Sequence, residues 1–457
     1  MTQGPDRLRR LCAQLGLATA LLAPFWFGAV SLKVWVPLAW LWILLGAGAT
    51  LARRPAGSGR GDRPRLMPGL LAALHVLFLL QLIPLPSSVL RVISPGSFAA
   101  HFIPPSDART WGPLTASPTG TLLAWLFIAG LHGLALAIFS GDRSDREEKM
   151  RRLFVGMAGV GGILALEGLV QSKSAHPYWL YGFLPVPSAG PHEGGIFGPY
   201  YNRDHYSNVI AIAASVAAGL LGIAARHAAF RRLSDFVRSA HFGRHLALTI
   251  ALLLMVVASA ASGSRGGLVG LGVGLLVGLG PALLARKRLG IVSLAVFAMA
   301  LFATGVPAAF ARLADVDFEA SRLLVWRDVL RLVAFFPVFG CGIGAFAPAY
   351  WPYQRVVRFE YWPHVHNEYI QWVLEGGLIG MVLAAYFLRR VWLLAPRMVR
   401  TAETRPALAG LAAALTHALV DSPFRIPANA AWAGLLLACL VVSTSGSVTV
   451  ARDRQPL

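Results

Sequence analysis

Stretches of about 20 mostly apolar residues recur along the whole chain, and each is long enough to cross a bilayer as a helix. Inside a bilayer only helices and closed barrels satisfy every backbone hydrogen bond. The composition agrees, with 56% hydrophobic and 14% charged residues and a mean hydropathy of +0.60. The sequence therefore predicts an all-α integral membrane protein. We predict about 12 transmembrane helices, at 11–30, 34–51, 67–85, 120–139, 153–170, 206–225, 245–261, 266–284, 289–306, 369–388, 406–420 and 428–443.

Loops rich in basic residues alternate with loops that hold fewer of them along this series of helices. Both termini and every second loop between the predicted helices hold most of the 41 Lys and Arg residues. Because basic loops stay on the cytoplasmic side, both termini are predicted to be cytoplasmic. The formal net charge of +20 thus reflects membrane topology, and nucleic acid is not a predicted partner. The three cysteines have no metal-binding spacing, so no disulfide framework, metal or cofactor is predicted.

The loops on the opposite side at 86–118, 171–204 and 307–368 are long enough to fold. In the last of these, apolar residues recur at helical spacing from Leu323 to Val333, and Gly340, Gly342 and Gly344 follow. This pattern predicts an amphipathic helix on the outer membrane surface, followed by a glycine turn.

Arginines stand beside several ends of the predicted helices on that side. Arg203 lies in Tyr-Tyr-Asn-Arg-Asp-His-Tyr, directly before a span, and Arg265 lies in a very short turn between two spans. A guanidinium at a helix end can bind a phosphate or diphosphate bidentately. The alternatives are an aromatic belt with an anchoring arginine and simple snorkelling. On the predicted loop helix, Arg322, Arg327 and Arg331 either close over an anionic group or contact anionic lipid headgroups.

Two histidines, an amide and carboxylates gather where the tenth span begins. His366 and Asn367 stand at its start, together with His364 and Glu368, and Glu375 lies inside it. A neutral imidazole is well suited to take a proton from a hydroxyl near neutral pH. His417 and Asp421 are four residues apart and share a helix face at the eleventh span. His366 is therefore the candidate general base.

Taken together, these motifs resemble the O-antigen ligase superfamily, which also contains O-antigen and exopolysaccharide polymerases and protein O-oligosaccharyltransferases. The similarity extends from about Asn202 to Asn429. It is carried by Asn-Arg-Asp-His before a span, Ser-Arg-Gly in a turn, Arg-x4-Arg around a tryptophan, Pro-x2-Gly-x-Gly, His-Asn-Glu-Tyr-Ile-Gln-x3-Glu-Gly-Gly, and His-x3-Asp with Arg-Ile-Pro-Ala-Asn.

The resemblance implies a GT-C glycosyltransferase fold and a metal-independent, inverting glycosyl transfer at the periplasmic face of the bacterial inner membrane. The donor would be a glycan on undecaprenyl diphosphate, and the acceptor would be lipid A-core or a growing glycan. By position, His366 corresponds to the catalytic histidine and Arg265 and Arg322 to diphosphate-binding arginines, and we add Arg203 to the donor site. The supporting residues would be Asn367, Glu375, His205, Arg327, His417 and Asp421.

This interpretation divides the chain into N-terminal membrane helices at 1–200, a catalytic membrane region at 201–445 that includes the periplasmic loop 307–368, and a cytoplasmic tail at 446–457. Two other classes remain open, a lipid-linked oligosaccharide flippase and a lipid-binding structural protein. We favour the enzyme because the polar motifs gather at one face, whereas a carrier places them near the midplane in broken, repeated helices. Glu167, inside the fifth predicted span, is the exception and has no assigned role.

Overall fold

The computed structural model describes residues 4–52, 68–103, 110–141, 143–177, 179–184, 195–227, 242–285, 316–355, 361–400 and 402–444. These residues are mostly helical. The α-helices are α1 Gly4–Leu22, α2 Leu32–Leu51, α3 Pro68–Leu82, α4 Ser87–Ile93, α5 Pro95–Phe102, α6 Pro118–Phe139, α7 Arg143–Gln171, α8 Arg203–His227, α9 Phe242–Ser262, α10 Arg265–Ala285, α11 Val316–Leu332, α12 Phe346–Tyr350, α13 Glu368–Arg400, α14 Arg405–His417 and α15 Pro427–Thr444.

Every predicted span except the ninth overlaps one of these helices, and the ninth, at 289–306, lies outside the described residues. Within the described part of the chain, 6 helices are long and apolar enough to cross a membrane. They are Leu32–Leu51, Pro118–Phe139, Ser144–Gln171, Arg203–Ala224, Phe242–Ser262 and Glu368–Val399, and shorter apolar helices occupy Pro68–Leu82, Arg265–Pro281 and Pro427–Ser443. The structure is thus consistent with an all-α membrane protein.

The first predicted span was placed too far along the chain. The helix α1 ends at Leu22, two residues before Pro24, and the chain then makes two short 3-10 turns as far as Ala29. A proline restricts the residue before it and cannot donate a backbone hydrogen bond, so the helix ends there. Conversely, α7 begins at Arg143, ten residues before the predicted start, because ion pairs such as Lys149 with Asp145, at 2.8 Å, support its polar first turns.

The predicted outer loop at 86–118 has structure of its own. It contains α4 and α5, and its edges form a small antiparallel pair of strands, β1 Pro84–Pro86 and β2 Trp111–Pro113. The chain is therefore not wholly helical. These two strands pair the segment that follows α3 with the segment that precedes α6, so this loop is tied to the helix bundle at both ends.

Small residues let α8, α10 and α14 pack closely together. A Cβ added to Gly267 of α10 would lie 2.0 Å from the hydroxyl oxygen of Ser207 in α8. A Cβ on Gly270 would lie 2.6 Å from the carbonyl oxygen of Ala413 in α14. Such contacts between small residues are the usual way in which membrane helices approach one another. They bring the start of α8, the start of α10 and the end of α14 to one place.

The amphipathic helix and glycine turn predicted in the long loop are present. The inner face of α11, with Val325 and Val329, packs against Trp362, Val365 and Leu374, so this face covers protein. The outer face carries exposed residues such as Leu323, Leu324 and Leu330. After α11, Gly340, Gly342 and Gly344 all have positive φ, at 73°, 103° and 83°.

The long helix α13 is broken at Gly377, where φ is 58° and ψ is −157°. The glycine turn fills the break, because the backbone N–H groups of Leu378 and Ile379 donate to the carbonyls of Pro337 and Val338 at 3.0 and 3.1 Å. In the other direction, the N–H groups of Cys341 and Gly342 donate to carbonyls of the first half of α13. The backbone groups that the break releases are therefore satisfied by protein.

Candidate active site

His366 and Asp421 form a hydrogen-bonded pair where α13 begins and α14 has just ended. The distance from Nδ1 of His366 to Oδ1 of Asp421 is 2.9 Å. The carboxylate of Asp421 can only accept, so Nδ1 carries the proton and Nε2 of the neutral ring is left as the acceptor. His366 is 8% exposed and has a positive φ of 55°, an unusual conformation for a residue other than glycine.

Asn367 explains how the start of α13 holds His366 in place. Its side-chain oxygen accepts hydrogen bonds from the backbone N–H groups of Tyr369 and Ile370, both at 3.0 Å, so it caps the helix. Its amide nitrogen donates to the carbonyl of Leu419 at 2.8 Å. The segment before α13 is thereby tied to the segment that carries Asp421.

Two further imidazoles face the carboxylate of Asp421. Nε2 of His205, in α8, lies 3.7 Å from Oδ2, and Nε2 of His417, at the end of α14, lies 3.8 Å from the same atom. Burial alone would raise the pKa of Asp421, but His205, His366 and His417 hold that pKa below its usual range. Asp421 is 1% exposed and is thus a buried carboxylate stabilised by imidazoles. Throughout the described residues, no group of three or more His, Cys, Asp or Glu is arranged to hold a metal ion.

A second polar network lies behind this cluster and is centred on Arg425. Its guanidinium contacts Glu368 at 3.1 Å and Glu375 at 3.0 Å, and Glu375 is fully buried. Burial alone would lower the pKa of Arg425, but the two carboxylates raise it. Gln371 donates to the Glu375 carboxylate at 3.0 Å and Gln81 donates to the Glu375 carbonyl at 2.9 Å. This network ties the segment that follows His366 to the segment that follows Asp421.

Sequence reasoning did not single out Arg425 as a site residue. It appeared only within the Arg-Ile-Pro-Ala-Asn run, although a basic residue in the short loop after Asp421 was a usable signal. Sequence reasoning also did not single out Asn208 and Asn429 as site residues. Both are amides near the ends of predicted helices. Asn208 contacts His417 at 3.3 Å, and Asn429 donates to Asn208 at 3.1 Å.

The donor-site arginines come from three elements. Arg265 begins α10, and a Cβ on its neighbour Gly266 would lie 2.8 Å from the ring of His417. Arg322 of α11 donates to the carbonyl of Val420, next to Asp421, at 3.0 Å. Arg203 begins α8, two residues before His205. Arg327 is exposed and lies away from the buried face of α11, so the structure does not bring it to this cluster.

We expect Arg425→Met to destabilise the protein by about 3 to 5 kcal/mol, because two buried carboxylates would lose their cation. Thermal unfolding of the purified protein in detergent measures this loss. Arg331→Met is the matched control, since Arg331 is an exposed arginine of α11. Adding Glu368→Gln and Glu375→Gln to Arg425→Met should recover part of the loss. Equal unfolding temperatures for Arg425→Met and Arg331→Met would contradict a structural role for the Arg425 network.

The fold and the site define a helical membrane protein in which imidazoles, a carboxylate and arginines meet at the ends of several helices. Residues 250–385 match a family model described as O-Antigen ligase. The match confirms the resemblance to the O-antigen ligase superfamily and supports a bacterial membrane enzyme of the ligase or polymerase type. It includes Arg265, Arg322, His366 and Glu375 and ends before His417 and Asp421. No curated protein matches the chain.

Proposed function

We propose that this protein is a membrane glycosyltransferase that transfers a glycan from undecaprenyl diphosphate to an acceptor hydroxyl at the periplasmic face of the inner membrane. The observation that carries the proposal is the 2.9 Å pair of His366 and Asp421, because it leaves Nε2 of His366 able to accept a proton. The O-antigen ligase match over 250–385 supports the same class of reaction.

In the proposed reaction His366 acts as the general base. The acceptor hydroxyl gives its proton to Nε2 as its oxygen bonds to the anomeric carbon of the donor sugar. The bond from that carbon to the diphosphate oxygen breaks, and its electron pair leaves with the diphosphate. Attack opposite the leaving group inverts the anomeric centre. Asp421 holds the ring in the required tautomer and stabilises the imidazolium that forms.

The proposed role of the arginines is to bind the diphosphate and stabilise its developing charge. Arg203 and Arg265 begin α8 and α10, whose first turns lie near His417 and Asp421. Arg322, inside α11, donates to the carbonyl of Val420, next to Asp421. A guanidinium binds phosphate oxygens bidentately, and a good leaving group stabilised by cations needs no general acid. A metal ion is not required in this scheme.

The proposed topology has twelve transmembrane helices in a GT-C arrangement, with both termini in the cytoplasm. In that topology the ends of α8, α10 and α14 that hold the site face the periplasm. The alternation of basic loops in the sequence supports this orientation.

A lipid-linked oligosaccharide flippase is the rival function, and the break in α13 at Gly377 is the observation in its favour, because carriers use broken helices. Here, however, the break is filled by the backbone of 337–342. Protein reconstituted with purified lipid-linked glycan separates the two functions. Release of undecaprenyl diphosphate supports the glycosyltransferase, whereas intact donor appearing on the opposite leaflet supports the flippase.

The acceptor decides among the members of this superfamily. Lipid A-core makes the protein a ligase, a growing glycan makes it a polymerase, and a Ser or Thr side chain makes it a protein O-oligosaccharyltransferase. A deletion strain distinguishes the first two by its surface glycan. Capped lipid A-core without long chains indicates a polymerase, and long chains left on the carrier indicate a ligase.

We expect Asp421→Asn to lower turnover by about 10- to 100-fold, because an amide that donates to Nδ1 would favour the tautomer with its proton on Nε2. Turnover and donor affinity measured on the same preparation check this expectation. Ser422→Ala is a neighbouring control in the same segment. Wild-type turnover in a folded Asp421→Asn protein would show that the carboxylate does not set the tautomer of His366.

A further inference from the structure

Trp326 of α11 has no role in the proposed reaction, yet it contacts the chain directly beside the proposed base. Its indole N–H donates to the backbone carbonyl of Val365 at 2.9 Å. This carbonyl belongs to the peptide group that joins Val365 to His366. The two partners are 39 residues apart in the sequence, so the hydrogen bond depends on the packing of α11 against the segment before α13.

The orientation of this peptide group bears on the backbone conformation of His366. The torsion φ is the rotation about the N–Cα bond next to that peptide, and its value of 55° is unusual for a residue with a side chain. Such a conformation costs energy and persists where the surrounding structure holds it in place. Both polar groups of Val365 are held, since its N–H donates to Oε1 of Gln371 at 3.0 Å and its carbonyl accepts from Trp326. Loss of the indole N–H would release the carbonyl side of this peptide.

Arg322, one turn earlier on the same helix, makes the equivalent contact beside Asp421. Its Nη1 donates to the carbonyl of Val420 at 3.0 Å. Residues four apart share a helix face, so Arg322 and Trp326 project together from α11. The two carbonyls that they bind belong to the residues directly before Asp421 and His366. One face of α11 thus holds both segments whose side chains meet at 2.9 Å.

We propose that Trp326 is a positioning residue that keeps the ring of His366 on Asp421. Its indole N–H holds the peptide group of Val365, and that peptide directs the side chain that follows it. Arg322 holds the partner segment, so α11 fixes both members of the pair. Because Arg322 also belongs to the proposed diphosphate site, donor binding and placement of the base depend on the same helix. The inference rests on the proposed function and adds to it a residue that acts on the base through the backbone.

The test compares Trp326→Phe with Trp432→Phe, because each change removes one indole N–H and keeps an aromatic ring. Trp432 is the matched control, since its Nε1 also donates to a backbone carbonyl at 2.9 Å, that of Ala20, and joins α15 to α1. Turnover is measured in reconstituted full-length protein with purified lipid-linked donor, and with lipid A-core or repeat-unit oligosaccharide from the same cells as acceptor. We expect Trp326→Phe to lower kcat by about 10- to 100-fold with the donor KM within about twofold of wild type, since small displacements of a catalytic group have effects of this size. Trp432→Phe should keep its kcat.

Chemical modification of His366 gives a readout that does not depend on turnover. Diethyl pyrocarbonate reacts with neutral imidazoles, and mass spectrometry locates the modified histidine. His366 is 8% exposed in the folded protein, so its reaction should be slow. We expect it to react several times faster in Trp326→Phe and at the wild-type rate in Trp432→Phe.

Unfolding temperatures show whether both variants are folded. The loss of one hydrogen bond should lower the unfolding temperature of both, so a fall in kcat confined to Trp326→Phe is not due to general destabilisation. If Trp326→Phe does not fold, benzothienylalanine at this position replaces it in both measurements. That side chain keeps the size of the indole and has sulfur in place of the N–H.

The outcomes separate this inference from the proposed function. Faster modification of His366 with unchanged kcat would support the positioning role of Trp326 and contradict the role of His366 as the base. A fall in kcat without faster modification, or equal losses in the two tryptophan variants, would overturn the positioning role. Wild-type behaviour of Trp326→Phe in both measurements would also overturn it and leave the proposed function intact.

Discussion

His366→Ala should lose about 10² to 10⁴-fold in turnover while donor binding survives, because general-base catalysis typically contributes that much. The arginines that are proposed to hold the diphosphate come from other elements and stay in place. Turnover and donor affinity are measured side by side in reconstituted protein.

His364→Ala and His205→Ala are the matched controls for this prediction. Burial and the nearby Arg425 hold the pKa of His364 well below its usual range, so its ring is neutral, yet its Nδ1 has no hydrogen-bond partner among the described residues. His205 faces Asp421 at 3.7 Å, beyond a good hydrogen bond. Both variants should keep more turnover than His366→Ala. Full turnover in His366→Ala, or equal loss in all three, would contradict the assignment of the base.

Arg265→Ala should abolish detectable transfer while the protein still inserts and folds. Losing a charged hydrogen-bonding partner of the diphosphate costs about 2 to 4 kcal/mol of transition-state stabilisation, and more if Arg265 acts together with Arg322. Arg265→Lys should recover little, because an ammonium group does not replace the planar guanidinium fork. The rate of undecaprenyl diphosphate release from purified donor measures the effect.

Arg327→Ala is the matched control for Arg265→Ala, since Arg327 is exposed and lies away from the buried face of α11. It should release diphosphate at close to the wild-type rate. Wild-type turnover in Arg265→Ala membranes would show that the diphosphate binds elsewhere. Strong loss in Arg327→Ala would show that the donor contacts the exposed face of α11.

Hydrophobic length predicted where most helices lie, since every predicted span but the ninth overlaps a described helix, and 6 described helices are long and apolar enough to cross a membrane. The predictions were less accurate where local chemistry decides the end of a helix, as at Pro24, which ends α1 early. The break at Gly377 was not predicted, because the sequence around it has the hydrophobicity of a continuous span. Its partner, the Gly340 turn, lies far away in the sequence, and only packing brings the two together.

The candidate site was likewise predictable from the sequence only in part. Sequence patterns pointed to His366, His417 and Asp421, because histidines and acids at helix ends are conspicuous in so apolar a chain. They could not pair His366 with Asp421, which are 55 residues apart. Nor could they join Arg425 to Glu368 and Glu375, since these contacts depend on how α13 and α14 pack. The partner of each residue is set by the tertiary structure and cannot be read from local sequence.

The break in α13 also bears on how the protein is assembled. The ribosome makes residues 337–342 before it makes α13, yet these residues supply the partners for the backbone groups on both sides of Gly377. Until the two meet, the second half of α13 would enter the membrane with unsatisfied amides at its first turn, which is costly in lipid. The final hydrogen bonding of α13 therefore depends on the preceding loop, and both halves of this helix reach it together with residues 337–342.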